Sequence, residues 1–381
     1  MSGCLSQGVT MKSRAALLFG VGEDWKIEEI EIDPPGPGEV VVKTKAAGLC
    51  HSDEHVVTGD MLMPHYPVIG GHEGAGEVVE VGAGVTSVSV GDHVSMSFIP
   101  SCGRCKWCVS GKSTLCDLGA QLFDVGMMTD GRMAHHLGET DVARMCQLGT
   151  FADYLLLSEN AVVKVEPDLP WHAVALVSCG VATGYGSSVH RANVEPGDNV
   201  AIVGIGGIGM NAVQGAKIAG AKRVIAIDPV EFKREKAMEF GATHTYASME
   251  EATADIAALT WGDMCDKVII TTGVMKGEYI EPALAMTSKG GTLVVTAVAS
   301  MMESEAALNS FMFAMMNKEI KGCLFGSGNP RADIPMLLSL YREGILKLDE
   351  LVTNTYTLDG VNQGYQDMRD GKNIRGVITF D

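Results

Sequence analysis

Along residues 14–100 the apolar positions come in short runs rich in Val and Ile, and glycine or proline interrupts them repeatedly. Pro34-Pro35-Gly36-Pro37-Gly38 breaks one run; Glu77-Val78-Val79-Glu80-Val81 alternates with period two and turns at Gly82. That pattern predicts an all-β region. From about residue 195 the rhythm changes. Val200-Ala201-Ile202-Val203 is a continuous apolar strand, a helical stretch follows over 208–220, and a further strand occupies 223–227. Strands are also expected at Lys267–Thr271 and Thr292–Ala297, a helix at Ile334–Arg342 and a closing strand at Arg375–Phe380. Strands alternating with helices predict a parallel sheet covered on both faces. The apolar stretch 292–298 and the Met-rich segment 311–316 suit either core or an intersubunit surface. Near the start, Met11-Lys12-Ser13-Arg14 before Ala15–Val21 imitates a leader, but Glu23-Asp24-Trp25-Lys26 follows with no small-residue cleavage site. We expect a first strand there, preceded by about ten loose residues.

Size and charge narrow the function. A chain of 381 residues is long for one core, so two domains are expected. The balance of 29 basic against 47 acidic residues, net −18, argues against nucleic acid or an anionic membrane as partner. No apolar run reaches the roughly 18 residues that span a bilayer. The chain's 10 cysteines are bunched at metal-like spacing rather than spread as a disulfide framework. Reduced thiols and a cytoplasmic location are the expectation.

Gly204-Ile205-Gly206-Gly207-Ile208-Gly209 follows a predicted strand and opens a predicted helix, and Asp228 ends the next strand about 20 positions on. Glycines let a pyrophosphate approach the backbone, and the helix start offers free N–H groups. An acid at Asp228 accepts the ribose hydroxyls of NAD and repels the 2′-phosphate of NADP. Lys233 is placed to reach the adenosine ribose or to lie in solvent.

Cys102, Cys105, Cys108 and Cys116 form a C-x2-C-x2-C-x7-C run. Four thiolates fill a tetrahedral zinc, which leaves that metal no open position and hence a bracing role. Scattered outside the run are Cys50, His72 with Glu73, and Cys179. One imidazole and two thiolates would leave a zinc with an open fourth position. Taken singly, His72 reads equally as a satisfied polar residue and Cys179 as core.

Several motifs occur together and in order: Gly48-Leu49-Cys50-His51-Ser52-Asp53, Gly71-His72-Glu73-Gly74-Ala75-Gly76, the four-cysteine run, Cys179 with Thr183-Gly184-Tyr185-Gly186, and the Gly204–Gly209 loop. On these motifs the chain, from about residue 14 to its end, resembles the zinc-dependent medium-chain alcohol dehydrogenases. The resemblance implies an α/β protein. A GroES-like β-rich catalytic domain (1–180 and 324–381) would carry both zinc sites, beside a Rossmann NAD-binding domain (181–323). It implies Cys50, His72 and Cys179 as catalytic zinc ligands with Glu73 beside the metal, and the four-cysteine run as structural zinc, so two zinc ions per subunit. His51, Thr183, Gly204, Gly206, Gly207, Ile208, Gly209, Asp228, Lys233 and Arg375 become NAD contacts. Alkoxide formation on the catalytic zinc would be followed by proton relay through Ser52 and His55, with Asp53 orienting the ligating histidine. Phe98 matches a substrate-pocket position and, with Met61, Leu62 and Met63, suggests an apolar pocket for a primary or aromatic alcohol.

The resemblance also implies a homodimer or homotetramer. Overall similarity to actinobacterial members implies a retained cofactor re-oxidised by an external electron acceptor. A glutathione-dependent formaldehyde dehydrogenase is the neighbouring alternative within the family. A zinc-free reductase of the superfamily would lack the four-cysteine run and Cys50. From a different class, a non-enzymatic zinc-module binding protein would want basic flanks, and Lys106 and Lys112 are few.

Overall fold

The computed structural model describes residues 10–381; the expected loose residues at the extreme start lie mostly outside them. Two of the three sheets build a β-rich body. In one, Met11–Leu18 pairs antiparallel with Lys26–Ile32, and Val68–Ile69 lies along its other edge. In the other, Glu39–Gly48 is central, flanked by Gly74–Val81 and Tyr154–Ser158. The strand Arg375–Thr379, near the end of the chain, returns to pair with Glu39–Gly48 (Val377 opposite Gly48). That pairing carries Arg375 back beside the Gly48–Cys50 segment.

The region 14–100 departs from all-β at one place, where His51–Thr58 is a helix. The cause is local. The Asp53 carboxylate accepts the Cys50 N–H at 3.2 Å, which satisfies a donor at the helix start, and Gly59 ends the helix in the left-handed conformation (φ 82°).

The third sheet is parallel throughout, in the spatial order His244–Tyr246, Arg223–Ile227, Asn199–Val203, Cys265–Ile270, Thr287–Val295, Glu319–Gly322. Chain order 3-2-1-4-5-6 is the doubly wound arrangement, with a ligand crevice where the order reverses, beside Asn199–Val203. The helix expected at 208–220 spans Gly207–Ile218, and the strand at 223–227 has the expected bounds. Leu293 and Val294 are fully buried, whereas Phe311, Met312 and Met315 are exposed, so of the two apolar segments only the first is core.

A helix running from Trp171 to Arg191 joins the two bodies. It widens into π-type turns at Val177–Val181 and Ser187–Arg191. Its apolar face shares one core with Ala46 and Ala75 of the β-rich body and Val200 and Ile202 of the parallel sheet. Cys179 sits on the first widened turn, and such turns often mark functional positions. Among the described residues, no helix is long and apolar enough to cross a membrane.

Candidate functional site

Cys50, His72, Glu73 and Cys179 come from three separate segments, yet one ligating atom of each lies within 4.8 Å of the others, and all four are buried. Cys50 stands at the start of the His51–Thr58 helix, His72 and Glu73 on the turn before Gly74–Val81, and Cys179 on the bridging helix. Cys179 Sγ is 3.5 Å from His72 Nε2. Tetrahedral bonds of about 2.3 Å to sulfur and about 2.0–2.1 Å to nitrogen place such atoms about 3.6 Å apart, so the donor set fits zinc.

Electrostatics agree. The hydrogen bond from Cys179 and the neighbouring His72 hold the Cys50 thiol well below its usual range, while Cys179, its partner in that bond and buried with it, is pushed well above. Burial alone would depress His72, but the Asp53 carboxylate and Cys50 raise its imidazole well above the ordinary value. Burial lifts the Glu73 carboxyl to about 7 against the pull of Arg375. Two thiols, an imidazole and a carboxylate buried together form a donor set whose thiolate form a divalent cation would stabilise.

Asp53 organises the cluster. Its Oδ1 accepts from Gly71 N–H at 3.0 Å and faces His72 Nδ1 at 3.1 Å, and its Oδ2 accepts from Cys50 N–H. With Nδ1 so engaged, His72 Nε2 is turned toward Cys179. Glu73 Oε2 pairs with Arg375 Nη2, and Glu73 Oε1 has no hydrogen-bond partner.

The four-cysteine run also closes on itself. Cys102 and Cys108 Sγ lie 4.0 Å apart, Cys105 and Cys116 3.9 Å apart. Tetrahedral Zn–S bonds of about 2.3 Å predict about 3.8 Å. Backbone N–H groups of Cys102 and Cys105 donate to Cys116 and Cys102 sulfurs at 3.4 Å; Cys102 is held below its usual range by such bonds against its burial, while burial lifts Cys116 to about 12. Among the described residues every cysteine is free of disulfide.

Both Cys50 and the glycine loop open on one cleft of about 450 Å³. His51, Ser52, His55, Gly204, Gly206, Gly207, Ile208, Asp228, Lys233 and Arg375 line it, whereas Thr183 and Gly209 do not. Gly209 serves packing, since a Cβ there would strike the Gly204 carbonyl oxygen, and Gly204 itself needs φ +91°. Thr183 is buried with its hydroxyl unpartnered. Asp228 Oδ2 accepts the Ile205 N–H at 2.8 Å and Oδ1 the Val230 N–H at 2.9 Å, which fixes the loop against the neighbouring strand. His51 keeps solvent contact at the mouth, though crowding by the protein and the Lys233 ammonium hold its pKa below normal. His55, by contrast, is buried rather than a surface imidazole.

The apolar side is built around Phe98, whose ring meets His72 edge-on at 5.6 Å and Phe325 at 4.7 Å. Met63 is buried and Met61 partly so, but Leu62 points outward at 57% exposure. Sequence reasoning missed Phe325 and Leu122 beside Phe98, and Thr271–Gly273 and Thr296–Val298 on the cleft wall. The cleft residues follow Cys265–Ile270 and Thr287–Val295; their one signal was position after a parallel strand.

Comparison with known proteins agrees with this geometry. Residues 36–167 match the family model of the alcohol dehydrogenase GroES-like domain, and residues 207–343 that of the zinc-binding dehydrogenases. The chain is 52% identical over 368 residues to the NDMA-dependent alcohol dehydrogenase of Amycolatopsis methanolica, covering 97% of this chain and 99% of that one. Alcohol dehydrogenase B of Mycobacterium tuberculosis is 50% identical over 370 residues, with the same coverage. Benzyl alcohol dehydrogenase from Acinetobacter calcoaceticus superposes with a TM-score of 0.89 at 30% identity, over 97% of this chain and 100% of that one. The chain belongs to the zinc-dependent medium-chain alcohol dehydrogenase family.

Proposed function

We propose that this enzyme oxidises a primary or aromatic alcohol by transferring hydride to NAD, at a site assembled between a catalytic domain (residues 1–180 and 324–381) and an NAD domain (181–323). The observation that carries the reading is the convergence of a buried Cys50–His72–Cys179 donor set and a glycine-loop helix start on one cleft. Cys50, His72 and Cys179 would hold a zinc, and Cys102, Cys105, Cys108 and Cys116 a second. The first metal, when bound, supplies Lewis acidity that lowers an alcohol pKa from about 16 toward neutrality, as it does for water.

The protein's own groups do the rest. Ser52, on the cleft two residues after Cys50, would accept the hydroxyl proton, and His55, on the same cleft, would receive it in turn. Asp53 orients His72. Gly204, Gly206, Gly207, Ile208 and the start of the Gly207–Ile218 helix would receive the pyrophosphate, with His51 and Arg375 flanking, while Asp228 and Lys233 would address the adenosine ribose; Thr183 lies off the lining of this cleft. Phe98 and Met63 exclude water from the alcohol's apolar end.

We further propose that the cofactor is retained through turnover and re-oxidised by an external acceptor, and that subunits associate through the exposed Met301–Met315 surface. Support for the first comes from the relative named for NDMA dependence, and for the second from the exposure of Met301, Met302, Phe311 and Met315. An absorbance spectrum of purified protein, with no cofactor added, tests retention. A reduced-nicotinamide band that survives gel filtration and bleaches with NDMA is expected. Cofactor-free protein that turns over added NAD freely sinks retention. Failure to reduce NAD with any alcohol, zinc being present, sinks the dehydrogenase reading.

A further inference from the structure

On the Ser52–His55 reading, the relay ends on a buried imidazole: His55 is 3% exposed. Its ring stands between two oxygen acceptors. Nε2 is 3.1 Å from the Gly273 carbonyl at the cleft wall, and Nδ1 is 3.4 Å from Asp60 Oδ2. Asp60 follows Gly59, the residue that ends the same helix, and its side chain is 30% exposed. Thr58 Oγ donates to the same carboxylate oxygen at 2.9 Å. The Asp60 carbonyl accepts the Met301 N–H at 3.0 Å, so this corner is tied to the NAD domain.

We propose that Asp60 is the positioning partner of His55, the counter-charge that lets its buried ring take up a proton. Both oxygens facing the ring can only accept, so with Nδ1–H on Asp60 Oδ2 the Nε2 lone pair is left against the Gly273 carbonyl, and a proton taken up at Nε2 turns that contact into a hydrogen bond. The carboxylate stabilises the imidazolium so formed, and the same proton leaves from Nε2 to water through the cleft that His55 lines, which restores the starting tautomer. One proton enters and leaves at Nε2, and no electrons move. A separation of 3.4 Å is long for this bond, as such contacts often are without substrate.

Among the described residues, other charges facing the ring offer no comparable partner. His51 lies one turn earlier on the helix at the cleft mouth, and Cys50 stands at the helix start among the proposed metal ligands. Glu54 is held by Arg369 of the Val361–Arg369 helix at 2.7 Å. Lys233 faces the cleft from the Glu231–Phe240 helix of the NAD domain.

The inference rests on the Ser52–His55 relay and is tested together with it. Single-turnover reduction of the bound cofactor by benzyl alcohol is followed from about pH 6 to about pH 9, spanning histidine titration. The proteins compared are the parent, Asp60→Asn, Asp60→Glu and Ser52→Ala, each with zinc content verified. Asp60→Asn should be roughly tenfold or more slower at the acid end, converging on the parent at the alkaline end. Added imidazole should restore its rate, and Asp60→Glu should keep most of the parent profile. A profile for Asp60→Asn that overlays the parent overturns the proposal. So does a loss equal at every pH that neither imidazole nor glutamate repairs, since that is structural damage. If Ser52→Ala reacts as fast as the parent, the relay itself is wrong and Asp60 falls with it. If Ser52→Ala is slow while Asp60→Asn is unchanged, Asp60 alone falls.

Discussion

Asp53→Asn should loosen the Cys50–His72–Cys179 metal and leave the four-cysteine metal in place. Asp53 is fully buried, and its two oxygens serve three donors, the Gly71 N–H, the His72 ring and the Cys50 N–H. Asparagine keeps one acceptor and sets an NH2 against a donor at the other. At least one hydrogen bond to a buried charge is lost, about 1.5–3 kcal/mol. Removing the outer partner of a ligating histidine typically costs 10–100-fold in metal affinity, about 1.4–2.7 kcal/mol. The two routes give the same range. Competition with a chelator, following zinc release against retained stoichiometry, reads the effect directly. One of the two zinc ions should leave at a 10–100-fold lower chelator concentration than in the parent, while the other serves as an internal reference. Identical release curves for variant and parent would refute the positioning role. Loss of both ions together, with a collapse in thermal stability, would show that Asp53 holds the fold rather than the ligand.

Cys105→Ser should lower zinc content by one ion per chain and admit protease to the segment 102–116, while alcohol-binding groups stay in place; metal analysis with limited proteolysis checks it. Asp228→Asn should weaken NAD by roughly 1.5–3 kcal/mol and narrow the preference over NADP, measured by calorimetric titration of both cofactors. Gly209→Ala drives a methyl group into the Gly204 carbonyl and should abolish cofactor binding with both zinc ions retained, read by the same titration and metal analysis. His135 is buried with Nε2 unpartnered, and burial first, then Arg144, depresses its pKa well below normal. The unfolded chain takes up a proton near pH 6.5 that the native state refuses, so stability should fall as pH drops through about 6.5, by up to ~1.4 kcal/mol per unit. His135→Gln should flatten that slope in urea unfolding at successive pH values; an unchanged slope refutes the assignment.

Much of the architecture could be read from the chain alone, because local chemistry dictates it. A continuous apolar strand, glycines at fixed spacing and an acid at the end of the next strand specify the Gly204–Asp228 turn, since few backbones other than a strand–loop–helix unit use that pattern. Four cysteines within fifteen residues can reach one another without help from the rest of the fold. The helix at His51–Thr58 escaped the periodicity because its two turns are short, and its start is capped by a side chain whose other partners are distant in sequence.

What tertiary structure decided is what lies between segments. Cys50, His72 and Cys179 are far apart along the chain, and their spacing alone left core packing as good a reading as ligation. Only pairing of Gly74–Val81 with Glu39–Gly48, which sets Gly74 opposite Ala47, and the bridging helix packed between two sheets draw them to one centre. Arg375 illustrates the difference: the family resemblance implied a contact with pyrophosphate, while the fold sets its guanidinium against Glu73. Asp60 carries no motif, and its place beside a buried His55 follows from where a helix ends against the other domain. A sequence records which groups are available for chemistry; distance and burial, which set their proton affinities and partners, exist only once the chain has closed on itself.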